Sequence, residues 1–134
     1  GNQSLADWDV TASTINLKGT NYRINDGNGT STVTLTGAIV LGATVLIDTD
    51  GVGSADNSVR LVGTVDADSA MDFDRGLTIR GGAGTVTFES DVGGSQALAD
   101  LDVTGSTIRL NAAASSSVVC ALMAFITSGR LIVM

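Results

Sequence analysis

The segment Gly1 to Leu17 (GNQSLADWDVTASTINL) returns 93 residues later as Gly94 to Leu110 (GSQALADLDVTGSTIRL). Twelve of the 17 positions are identical, and the mismatches are Asn2/Ser95, Ser4/Ala97, Trp8/Leu101, Ala12/Gly105 and Asn16/Arg109. A chain built by duplication is confined to folds in which each unit buries the apolar surface of its neighbour. Gly1 already lies inside the repeated motif and no initiator Met precedes it, so the sequence reads as a piece of a longer array.

A shorter period runs inside the long one. Val33, Leu35 and Ile39, then Val59, Leu61 and Val65, then Val86, Phe88 and Val92 share one pattern, each introduced by Ser or Thr (Thr32, Ser58, Thr85). The leading valines are 26 and 27 residues apart. That interval suits a solenoid coil, whereas turns in antiparallel meanders recur every 8 to 12 residues or so. Val45 with Ile47, Met71 with Phe73, Leu77 with Ile79, Leu101 with Val103 and Ile108 with Leu110 add two-residue alternations, which place apolar side chains on one strand face and polar ones on the other. Three strands per coil of about 26 residues, with Gly, Asn and Asp at the corners, predict an all-β chain folded as a right-handed parallel β-helix. Val33, Val59 and Val86 are expected to stack at the inter-strand spacing of about 4.8 Å. An antiparallel β-sandwich is the alternative.

Composition agrees. Of the 134 residues 43% are hydrophobic but only 4% aromatic, so the core is aliphatic, and the absence of proline leaves every strand able to donate its ladder hydrogen bonds. The absence of histidine removes the usual general base and the Ser-His-Asp and Cys-His arrangements. Cys120, the only cysteine, cannot form an intrachain disulfide and, in its apolar surroundings, is expected to be a buried hydrophobe. A net charge of −7 repels phosphate backbones and anionic lipid, which argues against nucleic acid and membrane surfaces as partners.

Candidate chemistry lies in the aspartates. Five Asp-x-Asp pairs occur, at 7/9, 48/50, 66/68, 72/74 and 100/102. On a strand such carboxylates share a face about 6.6 Å apart, near the separation an inverting glycosidase uses. If Trp8, Val10, Leu101 and Val103 point inward, the flanking aspartates simply coat the exterior. The Gly-rich loop from Asp48 to Asp56 offers Asp48, Asp50 and Asp56 as ligands for calcium. Val52 and Val59 stand where an EF-hand needs oxygen donors, and Val86 takes the aspartate position of a calcium nonapeptide beginning at Gly81. Neither glycine cluster forms a phosphate cradle, because the third glycine and the following helix are missing. Lys18 and Glu89, each the only residue of its type, are expected on the solvent side of strands.

Three stretches carry a resemblance: Gly37 to Asp48 (GAIVLGATVLID), the Gly84 to Phe88 strand followed by Asp91 to Gly94, and Leu98 to Ile108 (LADLDVTGSTI). They resemble the repeats of very large bacterial surface exoproteins, the filamentous-haemagglutinin-like adhesins and autotransporter passengers. The resemblance covers residues 1 to about 111. It implies a secreted, extracellular β-helical stalk that projects adhesive regions, and it implies no catalytic residues.

Residues 112 to 134 differ in kind. Aspartate vanishes, and nine consecutive apolar residues from Val118 are too few for a bilayer span of about 20. The expectation is a cap folded onto the last coil around Ile108 and Leu110, helical from about 116 to 128, with extra strands as the alternative. The sequence therefore predicts a non-catalytic structural or adhesive fragment without a cofactor, self-associating through open solenoid ends and contacting a cell-surface glycan or protein receptor. Its rivals are a carbohydrate-active β-helix enzyme and a calcium-dependent binding module.

Overall fold

A computed structural model describes residues 5–24, 31–52, 56–68, 74–111 and 130–133. The described residues form eleven strands: β1 (Asp9–Leu17), β2 (Asn21–Arg23), β3 (Thr32–Leu41), β4 (Val45–Asp48), β5 (Ser58–Leu61), β6 (Val65–Ala67), β7 (Gly76–Arg80), β8 (Thr85–Phe88), β9 (Asp100–Thr104), β10 (Thr107–Leu110) and β11 (Arg130–Val133). One sheet has the order β1-β3-β5-β8-β10, with β6 also on β3, and the other has β11-β9-β7-β4-β2. Every pairing is parallel except that of β11 with β9. The chain is a β-solenoid of about four turns about 25 residues apart, as the repeat spacing requires.

Each coil has three faces. The first carries the leading halves of β1 and β3, then β5, β8 and β10. The trailing halves of β1 and β3, β6 and the bridging Val92 make the second face. The third is the sheet from β2 to β11. Faces one and two share a sheet because β1 and β3 run through the bend. There Ala12 and Ser13 oppose Gly37 alone, and the register shifts between Thr11 and Thr14. Gly37 has a φ of 137°, and a Cβ on it would overlap the Ala12 carbonyl oxygen. Only glycine meets both demands without strain.

Aliphatic columns fill the interior. Val33, Val59 and Val86 are adjacent in register and wholly buried, and Leu35, Leu61 and Phe88 form the next column. Val45, Leu77 and Leu101 do the same on the third face. In-register stacking keeps one cross-section along the axis, which is why β-branched and leucine side chains recur at these positions.

The coils are not of uniform outline, however. Val45 pairs with Leu77, 32 residues on, while Ile39 pairs with Val65, 26 on. The corner leading to β7 is therefore six residues longer than the one leading to β4. The corner following β7 is shorter by nearly as much, since Ile79 to Val86 spans 7 residues and Ile47 to Val59 spans 12. Insertion and shortening nearly cancel, and the first-face spacing stays at 26 and 27.

The end of the tail departs from the expected site. Leu131 and Ile132 pair with Val103 and Asp102 on β9, so β11 extends the third face, whereas β10, with Ile108 and Leu110, pairs with β8. An edge of β9 with unpaired backbone groups accepts a strand readily. The expected helix over 116–128 and Cys120 lie outside the described residues.

Candidate functional site

The proposed calcium loop occupies the corner between the third face of one coil and the first face of the next. Asp48 ends β4, and Asn57 immediately precedes β5. Asp48, Thr49, Asp56 and Asn57 are the buried polar residues among those described. Buried polar groups are costly unless hydrogen-bonded, so their partners decide what the corner does.

For Thr49, Asp56 and Asn57 those partners are backbone. Asp56 accepts the Gly51 N–H on Oδ1 at 2.7 Å and the Ala83 N–H on Oδ2 at 2.7 Å, the second from the neighbouring coil. A Cβ on Gly82, which has a φ of 50°, would collide with that same carboxylate. The Gly81 to Gly84 cluster thus lets a corner close tightly over Asp56. Asn57 reaches in the other direction: its Oδ1 accepts from Ser31 N at 3.3 Å, and its Nδ2 donates to the carbonyls of Ala6 at 3.1 Å and Ile24 at 3.5 Å. The Thr49 hydroxyl donates to the Asn57 carbonyl at 2.8 Å. Carboxylate and amide therefore fasten this corner to the coils on either side.

Asp48 takes a third direction. Its Oδ1 accepts from Asp50 N at 3.3 Å, while Oδ2 lies 3.5 Å from Arg23 Nε. The Asp48 side chain is 7% exposed and that of Arg23 63%. Asp50 is exposed and close to Gly82. Of the three calcium candidates, Asp50 and Asp56 approach one another around Gly82, and Asp48 turns to Arg23. Among the described residues no group of three or more Asp, Glu or Cys side chains converges as a metal would need.

The Asp-x-Asp pairs fall mainly on the exterior. Asp7, Asp9 and Asp100 are exposed and Asp102 is half-buried, while Leu101 and Val103 are buried and Trp8 and Val10 pack against the core. Asp66 Oδ1 accepts the N–H groups of Ser95 at 2.8 Å and Gln96 at 3.1 Å. Arg75 is held by Asp68 at 2.9 Å and by Asp74 at 2.5 Å, and its guanidinium is pushed above its ordinary pKa, chiefly by the Asp68 hydrogen bond. Asp72 lies outside the described residues. Asp66, Asp68 and Asp74 are thus engaged with backbone N–H groups and arginine, and Asp7 and Asp9 accept the backbone N–H groups of Trp8 and Thr34.

Three arrangements escaped the sequence reading. Asn57 is the first; its signal was a polar residue directly before the Ser58-Val59 strand start. The second is a chain in which Arg60 Nε bonds Glu89 Oε1 at 3.1 Å and Asn111 Nδ2 bonds Glu89 Oε2 at 2.8 Å. The Asn111 hydrogen bond, aided by Arg60, holds the Glu89 carboxyl below the usual glutamate range. The third is a stack of Trp8 on Tyr22, with centroids 5.0 Å apart and rings inclined by 9°. Comparisons with family profiles, curated proteins and solved structures return no match.

Proposed function

We propose that the chain is a non-catalytic structural and adhesive segment of a secreted bacterial surface protein, a length of β-helical stalk. The observation that carries this reading is the use of one duplicated sequence at two different places in a single stack, because a unit that fits more than one place is a spacer. Each added coil lengthens such a rod by about 4.8 Å. The acidic corner supports the same reading, since Asp56 and Asn57 spend their hydrogen bonds joining neighbouring coils. The resemblance to haemagglutinin-like exoproteins is what suggests a cell-surface location, and the excess of acid suits an exterior facing glycans or proteins. Antibodies against the folded chain are expected to label intact cells of the source organism. Labelling only after permeabilisation, or depolymerisation of a polysaccharide panel by the purified chain, overturns the proposal.

A further inference from the structure

The outermost first-face strands among the described residues, β1 and β10, carry complementary edges. Among the described residues, β1 pairs only with β3 and β10 only with β8. Following the register across the first face gives one outward row, Asp9, Thr34, Arg60, Thr87 and Arg109. Beside it runs an inward row of Val10, Leu35, Leu61, Phe88 and Leu110. Over the described residues the outward row thus starts with a carboxylate on β1 and finishes with a guanidinium on β10.

Both charges are accessible. Arg109 is exposed and has no carboxylate partner within 4.0 Å among the described residues. Asp9 is exposed too, with Oδ1 accepting the Thr34 N–H at 3.2 Å. In the inward row, Leu110 is 51% exposed, an open apolar surface on β10. A further strand laid parallel on β10 in the same register would place its outward residue against Arg109 and its inward residue against Leu110. Opposite charges directly across neighbouring strands stabilise a pairing and like charges oppose it. The β1 sequence Asp9-Val10 supplies a carboxylate and an apolar side chain in that order. Strand β10 itself repeats Thr14 to Leu17 of β1 with one change, so the two edges already belong to one class of strand.

We propose that a second copy of this chain docks head to tail, its β1 on β10, with the second copy's Asp9 beside Arg109 and its Val10 on Leu110. The interface is heterologous, so its repetition generates an open filament rather than a closed dimer. This assignment rests on the register of the solenoid and not on the adhesive reading; its failure leaves that reading standing.

Sedimentation velocity of the whole chain over a wide concentration range tests it. The wild type is expected to grow in mass without a fixed end point. Asp9→Arg or Arg109→Glu alone places like charges at every junction and is expected to weaken association about tenfold, with an unchanged far-ultraviolet dichroism spectrum. An equimolar mixture of the two variants restores opposite charges at every junction, reversed at one and native at the next, and is expected to recover the wild-type growth. Should either variant misfold, Asp9→Asn and Arg109→Gln serve instead, each expected to reduce association by a smaller factor. A monomeric wild type, variants that associate like wild type, or a mixture of folded charge-reversed variants that stays dissociated overturns the proposal.

Discussion

The first and second copies of the duplicated segment share twelve residues and occupy different stations of the coil. In the first copy, Asp9 to Thr11 lies on the first face and Thr14 to Leu17 on the second. In the second copy, Asp102 to Thr104 lies on the third face and Thr107 to Leu110 on the first. The inward phase is the same in both, so Val10 and Val103 point inward, as do Ile15 and Ile108. Burial is inverted: Leu17 is 3% exposed and Leu110 51%, while Val103 is wholly buried and Val10 only half so. What transfers with the sequence is strand, bend and inside-outside alternation. Depth is set by which strands lie on either side.

The mismatches between the copies follow the stations. Trp8, beside the end of the stack, is free to lie flat on Tyr22. Its counterpart Leu101 sits between β7 and β11, where strands on both sides suit a smaller side chain. Ala12 stands at a bend whose partner Gly37 yields the space. Gly105 instead packs on Gly84 and Val86, where a Cβ would come within 3.1 Å of the Gly84 carbonyl oxygen.

The comparison breaks most readily at the leucines. Leu17→Ala is expected to cost about 2 to 5 kcal/mol in urea melts, because it empties a buried site, while Leu110→Ala stays within about 0.5 kcal/mol in the dissociated chain. The order reverses in the leading halves, with Val103→Ala costing more than Val10→Ala. Equal costs within each pair would mean that the two copies lie in equivalent surroundings.

The bends sharpen it further. Gly37→Ala combines a positive φ with a backbone overlap and is expected to lower stability by about 1 to 3 kcal/mol. For Gly105→Ala, which makes the second copy more like the first, about 0.5 to 1 kcal/mol is expected, since neighbours need shift by only a few tenths of an ångström. A milder effect at 37 than at 105 contradicts the assignment of the two bends.

The smallest effect is electrostatic and falls at the end of the second copy, where Asn111 and Arg60 grip Glu89. A carboxyl whose folded pKa lies below its unfolded value contributes stability above the unfolded value and loses it as pH falls through the folded one. Melting temperature is therefore expected to drop slightly as acid carries the solution from above the usual glutamate range to below it. Glu89→Gln flattens that part of the profile, and an unchanged profile in the variant would show that the bonds to Glu89 contribute nothing.

How far the fold was legible varies along the coil. The Val33, Val59 and Val86 column could be read directly, because parallel stacking demands like residues at a constant interval. The displaced third face could not, since corners tolerate insertions and the extra residues before Leu77 are offset by the short corner after Ile79. The acidic corner was visible only as composition. Asp56 and Gly82 read as parts of two separate loops until stacking brings the Ala83 N–H onto the Asp56 carboxylate. The same stacking was needed to see that Arg109 and Asp9 end one row.

One sequence lies at two stations of the coil, and the most direct measurement of that is a methyl NOESY spectrum of chain labelled at Ile and Val. The account predicts contacts from Ile15 to Ile39 and from Ile108 to Val86. If the copies held equivalent stations, Ile108 would join the second-face column of Ile39, Val65 and Val92, and contacts from Ile108 to Val92 without any to Val86 would contradict the account.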